Sequence, residues 1–115
     1  MLIGNLSRRT GVSTRALRHY EDQGLLRPER DTSGYRRYDE HDITRVAQIR
    51  TMLAAGMNTA AICRFLDCAR SEEDGVRLEM CPDLRAQLDA LQERLESESR
   101  RIRVTQERLG ALTGC

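Results

Sequence analysis

The chain has no lysine and no tryptophan, and its aromatic residues are Phe65 and three tyrosines. That scarcity argues against a sandwich of strands rich in aromatic and β-branched residues; leucine, isoleucine and valine recur instead at helical spacing. No stretch approaches the roughly 18 consecutive apolar residues of a membrane span, and the start lacks the charged and apolar regions of a signal peptide. The expected location is the cytoplasm, where Cys63, Cys68, Cys81 and Cys115 are thiols by default. There is no nucleophile beside a base, no phosphate loop and no acid pair in a pocket-forming context, which speaks against an enzyme. The 115 residues leave room for one domain and an appendage.

What is present is unevenly spread. The net charge is +1 over the whole chain, but residues 1–50 carry +3 and residues 71–115 carry −3. A basic head joined to an acidic tail suits a nucleic-acid reader with a separate interaction arm.

The stretch from Gly11 to Leu26 organises the head. Ser13 is placed to cap a short helix, Ala16, Leu17 and Tyr20 fall on one side, and glycines stand just outside both ends. Arg15 and Arg18 share another side with Thr14, so a stiff helix presents guanidinium forks of the kind that read a duplex major groove. Before it, Gly4 to Thr10 makes two helical turns with Leu6 inward, and Gly11 and Val12 leave no room for a relaxed connection. That is a helix-turn-helix signature.

From Arg27 to Tyr38 helical periodicity fails. Pro28 breaks helix, Thr32-Ser33-Gly34 is turn chemistry, and Tyr35-Arg36-Arg37-Tyr38 suits an extended segment. The spacing predicts a two-stranded wing in which Tyr35 and Arg36 hydrogen-bond phosphates and Gly34 permits close approach, with Tyr38 in the wing's core. Asp39 is placed to cap a third helix bearing Ile43, Val46, Ile49, Met52 and Leu53, with Gly56 after it, and Asn58 or Thr59 a fourth through Ile62, Phe65 and Leu66. Cys63 is expected in the core; His19 and His41 are expected to be surface or packing residues.

Residues 71–82 are polar and are expected to be a mobile linker between a DNA-binding domain at 1–70 and a dimerisation helix at 83–115. Beyond Pro82, positions 84, 88, 91, 95, 98, 102, 105, 109 and 112 step by four and three. Leu84, Leu88, Leu91, Leu95, Ile102, Leu109 and Leu112 form its apolar seam. Such a helix, roughly 45 Å long, calls for a partner, a second copy above all. Glu98 interrupts the seam beside Arg94 and Arg101, a polar residue that selects register. The fold class is therefore mainly α: a winged helix-turn-helix followed by a long dimerisation helix of a coiled coil.

Were the two copies to pack antiparallel, two registers would be open to them, Leu88 facing Thr105 or Leu112 of the second copy. In either, Cys81 and Cys115 of the partner subunit lie about 4.5–6 Å apart along the axis, within reach of a shared thiophilic metal ion or a disulfide. A disulfide between Cys68 and Cys81 is the rival pairing. Cys63 and Cys68 lack close zinc spacing.

The order Ile3-Gly4-Asn5-Leu6, Gly11-Val12-Ser13, Arg15, Leu17-Arg18-His19-Tyr20-Glu21, Gly24-Leu25-Leu26 and Gly34-Tyr35-Arg36-Arg37-Tyr38 resembles MerR-type transcription regulators. The resemblance runs over essentially the whole chain and differs in having His19-Tyr20 where a pair of tyrosines is usual. It implies a bacterial, nucleoid-associated dimer, joined by an antiparallel coiled coil, that binds palindromic promoter DNA and bends and untwists an overlong spacer, acting on RNA polymerase indirectly. By position, Ser13, Thr14, Arg15 and Arg18 serve the major groove, and Tyr20, Tyr35, Arg36 and Arg37 grip the backbone. Cysteines near the two ends of the coil serve metal sensing in one branch of that family, which favours the Cys81 and Cys115 pairing. Relatives often carry a ligand-binding domain after the dimer helix; here none is expected. The alternative function is a coiled-coil adaptor without sequence-specific DNA binding, which would need neither the arginine-bearing helix nor the wing.

Overall fold

A computed structural model describes residues 1–114. Helix α1 (Ile3–Thr10) ends at Gly11, whose left-handed backbone (φ 74°) lets its N–H return to the Ser7 carbonyl. The turn is then locked twice: the Ser7 hydroxyl donates to the Val12 carbonyl at 2.6 Å, and the Val12 N–H donates to Thr10 Oγ1 at 3.3 Å. Helix α2 (Thr14–Asp22) starts under Ser13, whose side chain accepts from the Ala16 N–H at 3.1 Å. It closes through Gly24 at φ 78°, which directs the Leu25 N–H onto the Tyr20 carbonyl.

Two short strands, β1 (Glu29–Arg30) and β2 (Arg36–Arg37), pair antiparallel with Glu29 opposite Arg37 and Arg30 opposite Arg36. Backbone bonds between Met1 and Tyr38 in both directions tie the start of the chain to the end of this wing. Helix α3 (Glu40–Ala54) is headed by a reciprocal capping box between Asp39 and Asp42. Helix α4 (Thr59–Phe65) is capped by Asn58, which accepts from the Ala61 N–H at 2.8 Å.

The core of this unit is aliphatic. Leu6 from α1, Leu17 from α2, Val46 and Ile49 from α3 and Ile62 from α4 are fully enclosed, each contributing about 1.5–3 kcal/mol by leaving water. Tyr38 is also buried, as its alternation with the exposed Arg37 implied. Arg9 of α1 pairs with Glu40 of α3, and Arg50 of α3 donates to the Thr10 carbonyl at the end of α1. These tie the outer layer to the helix beneath it.

The polar stretch read as a linker folds otherwise. A single 3₁₀ turn (Leu66–Cys68) leads into a hairpin of β3 (Ala69–Glu72) and β4 (Gly75–Leu78), with Glu73 and Asp74 in its turn. Val76 and Leu78 are half-buried on one face. On the other, Arg70 lies opposite Arg77, and each is neutralised within the hairpin, by Glu79 at 2.7 Å and Glu72 at 2.6 Å respectively. Buried Gln48 of α3 donates to Ser71. The first compact unit thus runs from Met1 to Glu79, past the boundary expected at residue 70.

The second unit, from Met80 onward, is helix α5 (Pro82–Thr113), 32 residues long and about 48 Å in length. Pro82 occupies its first turn, and Cys81 Sγ accepts from the Leu84 N–H at 3.4 Å. Cys81 thus acts as an N-cap. Among the described residues of α5, Leu84 alone is buried.

Candidate nucleic-acid interface

Helix α2 sends Leu17 and Tyr20 into the core and leaves Arg15, Arg18 and His19 exposed. Among the described residues neither Arg15 nor Arg18 has a hydrogen-bond or ion-pair partner, so both forks are open to a ligand. Thr14 is half-buried and Ser13 spends its hydroxyl oxygen on the cap. Tyr20 is 8% exposed, with its ring in the core because the i, i+3 spacing from Leu17 turns it inward.

The wing is organised by Asp31. Its Oδ1 accepts the N–H groups of Ser33 and Tyr35, at 2.9 and 3.0 Å, and its Oδ2 takes the Arg37 guanidinium at 2.9 Å. These bonds, the Tyr35 amide foremost, hold the Asp31 carboxyl below the usual carboxylate range. Gly34 at φ 83° permits the turn, and Arg30 donates to its carbonyl. Tyr35 stands at the tip, 64% exposed.

Arg36 and Arg37, expected to grip the DNA backbone, are each ion-paired within the domain. Arg37 is held by Asp31. Arg36 donates through Nε to Glu21 of α2, with oxygens at 2.7 and 3.0 Å, which raises the guanidinium pKa further. No hydrogen bond engages Nη1 or Nη2 of Arg36 among the described residues, so the outer edge of its fork remains available. Glu21 and Asp31 are the site residues that sequence reasoning missed. Asp31 carried a signal, an aspartate two residues before Ser33-Gly34. Glu21 carried none, because its partner lies 15 residues away.

Of the cysteines, Cys63, Cys68 and Cys81 are free thiols. Cys63 is exposed rather than in the core. Helix α4 turns Ala61, Ile62 and Phe65 inward, which leaves Cys63 on the rim of a cleft shared with Gly24, Arg27 and His41. Cys81 is exposed, and Cys115 lies outside the described residues. Among the described residues no group of three or more His, Cys, Asp or Glu side chains is arranged to hold a metal ion.

On α5, the expected seam splits. Leu84 is buried, Leu88 and Leu91 are half-buried, and Leu95, Ile102, Leu109 and Leu112 are exposed, Leu112 to 85%. No helix among the described residues is long and apolar enough to cross a membrane.

Residues 1–68 match the family described as MerR HTH family regulatory protein. The chain is similar to nodulation protein NolA of Bradyrhizobium sp. (strain NC92), with 43% identity over 76 residues, 65% of this chain and 32% of that protein. It is 33% identical over 100 residues to heavy metal-dependent transcription regulator 2 of Rhizobium meliloti (strain 1021), covering 81% of this chain and 68% of that one. The chain spans between about a third and a half of the NolA proteins it matches. Its fold is similar to that of transcription regulator PbrR691 from Ralstonia metallidurans CH34 in complex with lead(II). The TM-score is 0.80 with 29% identity, over 98% of this chain and 85% of that one. With a helix-turn-helix, a wing and a long terminal helix all in place, the chain belongs to the MerR helix-turn-helix family.

Proposed function

We propose that two copies of this chain associate through α5 as an antiparallel coiled coil and bind a palindromic promoter site. Each recognition helix α2 enters a major groove, and the pair distorts the spacer between the promoter elements, acting on RNA polymerase indirectly. The observation that carries this reading is the apolar edge of α5. Leu95, Ile102, Leu109 and Leu112 recur at seam spacing and are exposed, and a second copy of the same helix offers them a matching surface. Arg15 and Arg18 supply the groove contact, and Tyr35, Arg36 and Arg37 the backbone contact. The half-buried Thr14 borders the groove contact, Ser13 fixes the helix that makes it, and Tyr20 supports α2 from behind.

The effector in this reading is a thiophilic metal ion or an oxidant, met by Cys81 and Cys115 of the partner subunit. Cys81 is exposed and stands at the head of α5, and two soft donors from different copies would let a metal ion or a disulfide fix the coil's ends. The names of two similar proteins, one a heavy metal-dependent regulator and one solved with lead(II), support this part.

Sedimentation of the full chain with and without duplex DNA tests the assembly, and selection from randomised duplexes tests the site. A dimer that enriches a palindrome is the expected result. A monomer on DNA, or no enriched palindrome, overturns the reading. The effector part is tested separately by mass spectrometry of the protein after exposure to Zn(II), Hg(II) or an oxidant. Metal content or an intersubunit crosslink that disappears in Cys81→Ser is expected, and identical behaviour of that variant removes this part alone.

A further inference from the structure

Between the start of α1, the outer face of α2 and the wing lies a cleft of about 200 Å³ lined by Leu2, Ile3, Arg18, Tyr35 and Arg36. Its make-up is unlike a solvated surface. Leu2 is 42% exposed although it directly precedes α1, and the lining contains two guanidinium groups and no acid. Glu21 draws on Arg36 through Nε only. The cleft therefore joins an apolar floor to a cationic edge, and it continues the surface that carries Arg15 and Arg18.

We propose that this cleft seats one sugar–phosphate unit of the DNA backbone, with Leu2 and Ile3 packed against the deoxyribose and Arg36 with Tyr35 holding its phosphate. The proposal rests on duplex binding by α2 and the wing, and it adds an apolar contact that the charged residues do not supply. A deoxyribose presents carbon-bound hydrogens on the same unit that carries the anion, so one backbone unit complements both parts of the cleft. A stacked base pair cannot enter from inside the duplex, whereas a backbone unit lies along the groove edge beside Arg18. Glu21 is a positioning residue here: by anchoring Nε it turns the two terminal amino groups of Arg36 outward, the edge that meets phosphate oxygens.

The test uses the full chain and the duplex it selects. Leu2→Ala and Leu2→Gln are each expected to weaken binding by about three- to tenfold. The loss should be equal on selected and random duplexes, with the same enriched sequence and an unaltered salt dependence, because no charge is removed. Methylphosphonate replacement of single phosphates then maps the unit served by Arg36, as the position whose neutralisation weakens wild type but not Arg36→Ala. A 2′-O-methyl group on the adjoining sugar should weaken wild type and leave Leu2→Ala unaffected, a readout that does not depend on a variant's folding. Leu2 variants that bind like wild type, or that change the enriched sequence, overturn the proposal while leaving duplex binding itself intact. Absence of any duplex binding by the wild type overturns both together.

Discussion

Glu21 of the recognition helix and Arg36 of the wing are joined by an ion pair of 2.7 Å. Two elements far apart in the chain are thereby held at a fixed spacing. In Glu21→Ala the anchor on Nε is lost and the terminal amino groups of Arg36 are no longer held outward. Binding to random duplex is expected to weaken about threefold at low salt, with the logarithmic salt dependence shallower by up to about one contact. Fluorescence anisotropy at several salt concentrations measures this; unchanged affinity and slope would show that Glu21 does not position Arg36 on phosphate.

Arg15 and Arg18 project from the same exposed side of α2. Arg18→Ala is expected to cost about 1–3 kcal/mol on the selected duplex and much less on random duplex, erasing the preference for at least one base pair. Competitive selection on both proteins reads the difference. Equal losses on all sequences would reassign Arg18 to the backbone.

Leu109 lies on the exposed edge of α5. Leu109→Asp places a charge in the proposed seam, and the sedimenting species is expected to shift from dimer toward monomer with a fall in helical signal, because a long unpartnered helix is marginal in water. A dimer of undiminished stability would place the contact elsewhere.

The capping box at α3 gives a stability test that needs no DNA. Asp39→Ala leaves the Asp42 N–H and the first turn uncapped, and a loss of about 1 kcal/mol is expected in denaturant unfolding, within the usual range for such caps.

The Asp31 carboxyl titrates below its ordinary range because the Tyr35 and Ser33 amides and Arg37 favour its charged form. The unfolded chain therefore takes up this proton first on acidification. The carboxyl's contribution to the wing is complete above the ordinary carboxylate range, near pH 4, and is lost as pH falls through the lower folded value. Amide signals of Ser33 and Tyr35 are expected to move together in an NMR titration below that range. In Asp31→Asn the movement should be absent.

Much of this arrangement was legible in the chain. Caps and breakers do their work within a few residues, so Ser13, Asp39, Asn58, Gly11 and Pro82 located the helices. Inward spacing located the core at Leu17, Val46 and Ile49. Three things escaped. The hairpin at Ala69–Leu78 was hidden because its strands are four residues each and its packing face is only Ala69, Val76 and Leu78, while Glu73-Asp74-Gly75 dominated the composition. Cys63 was assigned inward as a small thiol, but its place on α4 was decided by the stronger demands of Ile62 and Phe65. The pairing of Glu21 with Arg36 depends on how the wing folds back, a long-range relation that no local pattern encodes. The heptad spacing called for a second copy; the resemblance to a known family added the expectation of an antiparallel coil, a palindrome and a distorted spacer, which spacing alone could not name.

The link between α1 and α2 is three residues long and cross-braced at both Ser7 and Thr10. A joint so short has almost no compliance, so a misfit with a bound surface is not absorbed by the reading head. In the proposed complex the softer body is the double helix, and the mechanical work of accommodation would fall on it.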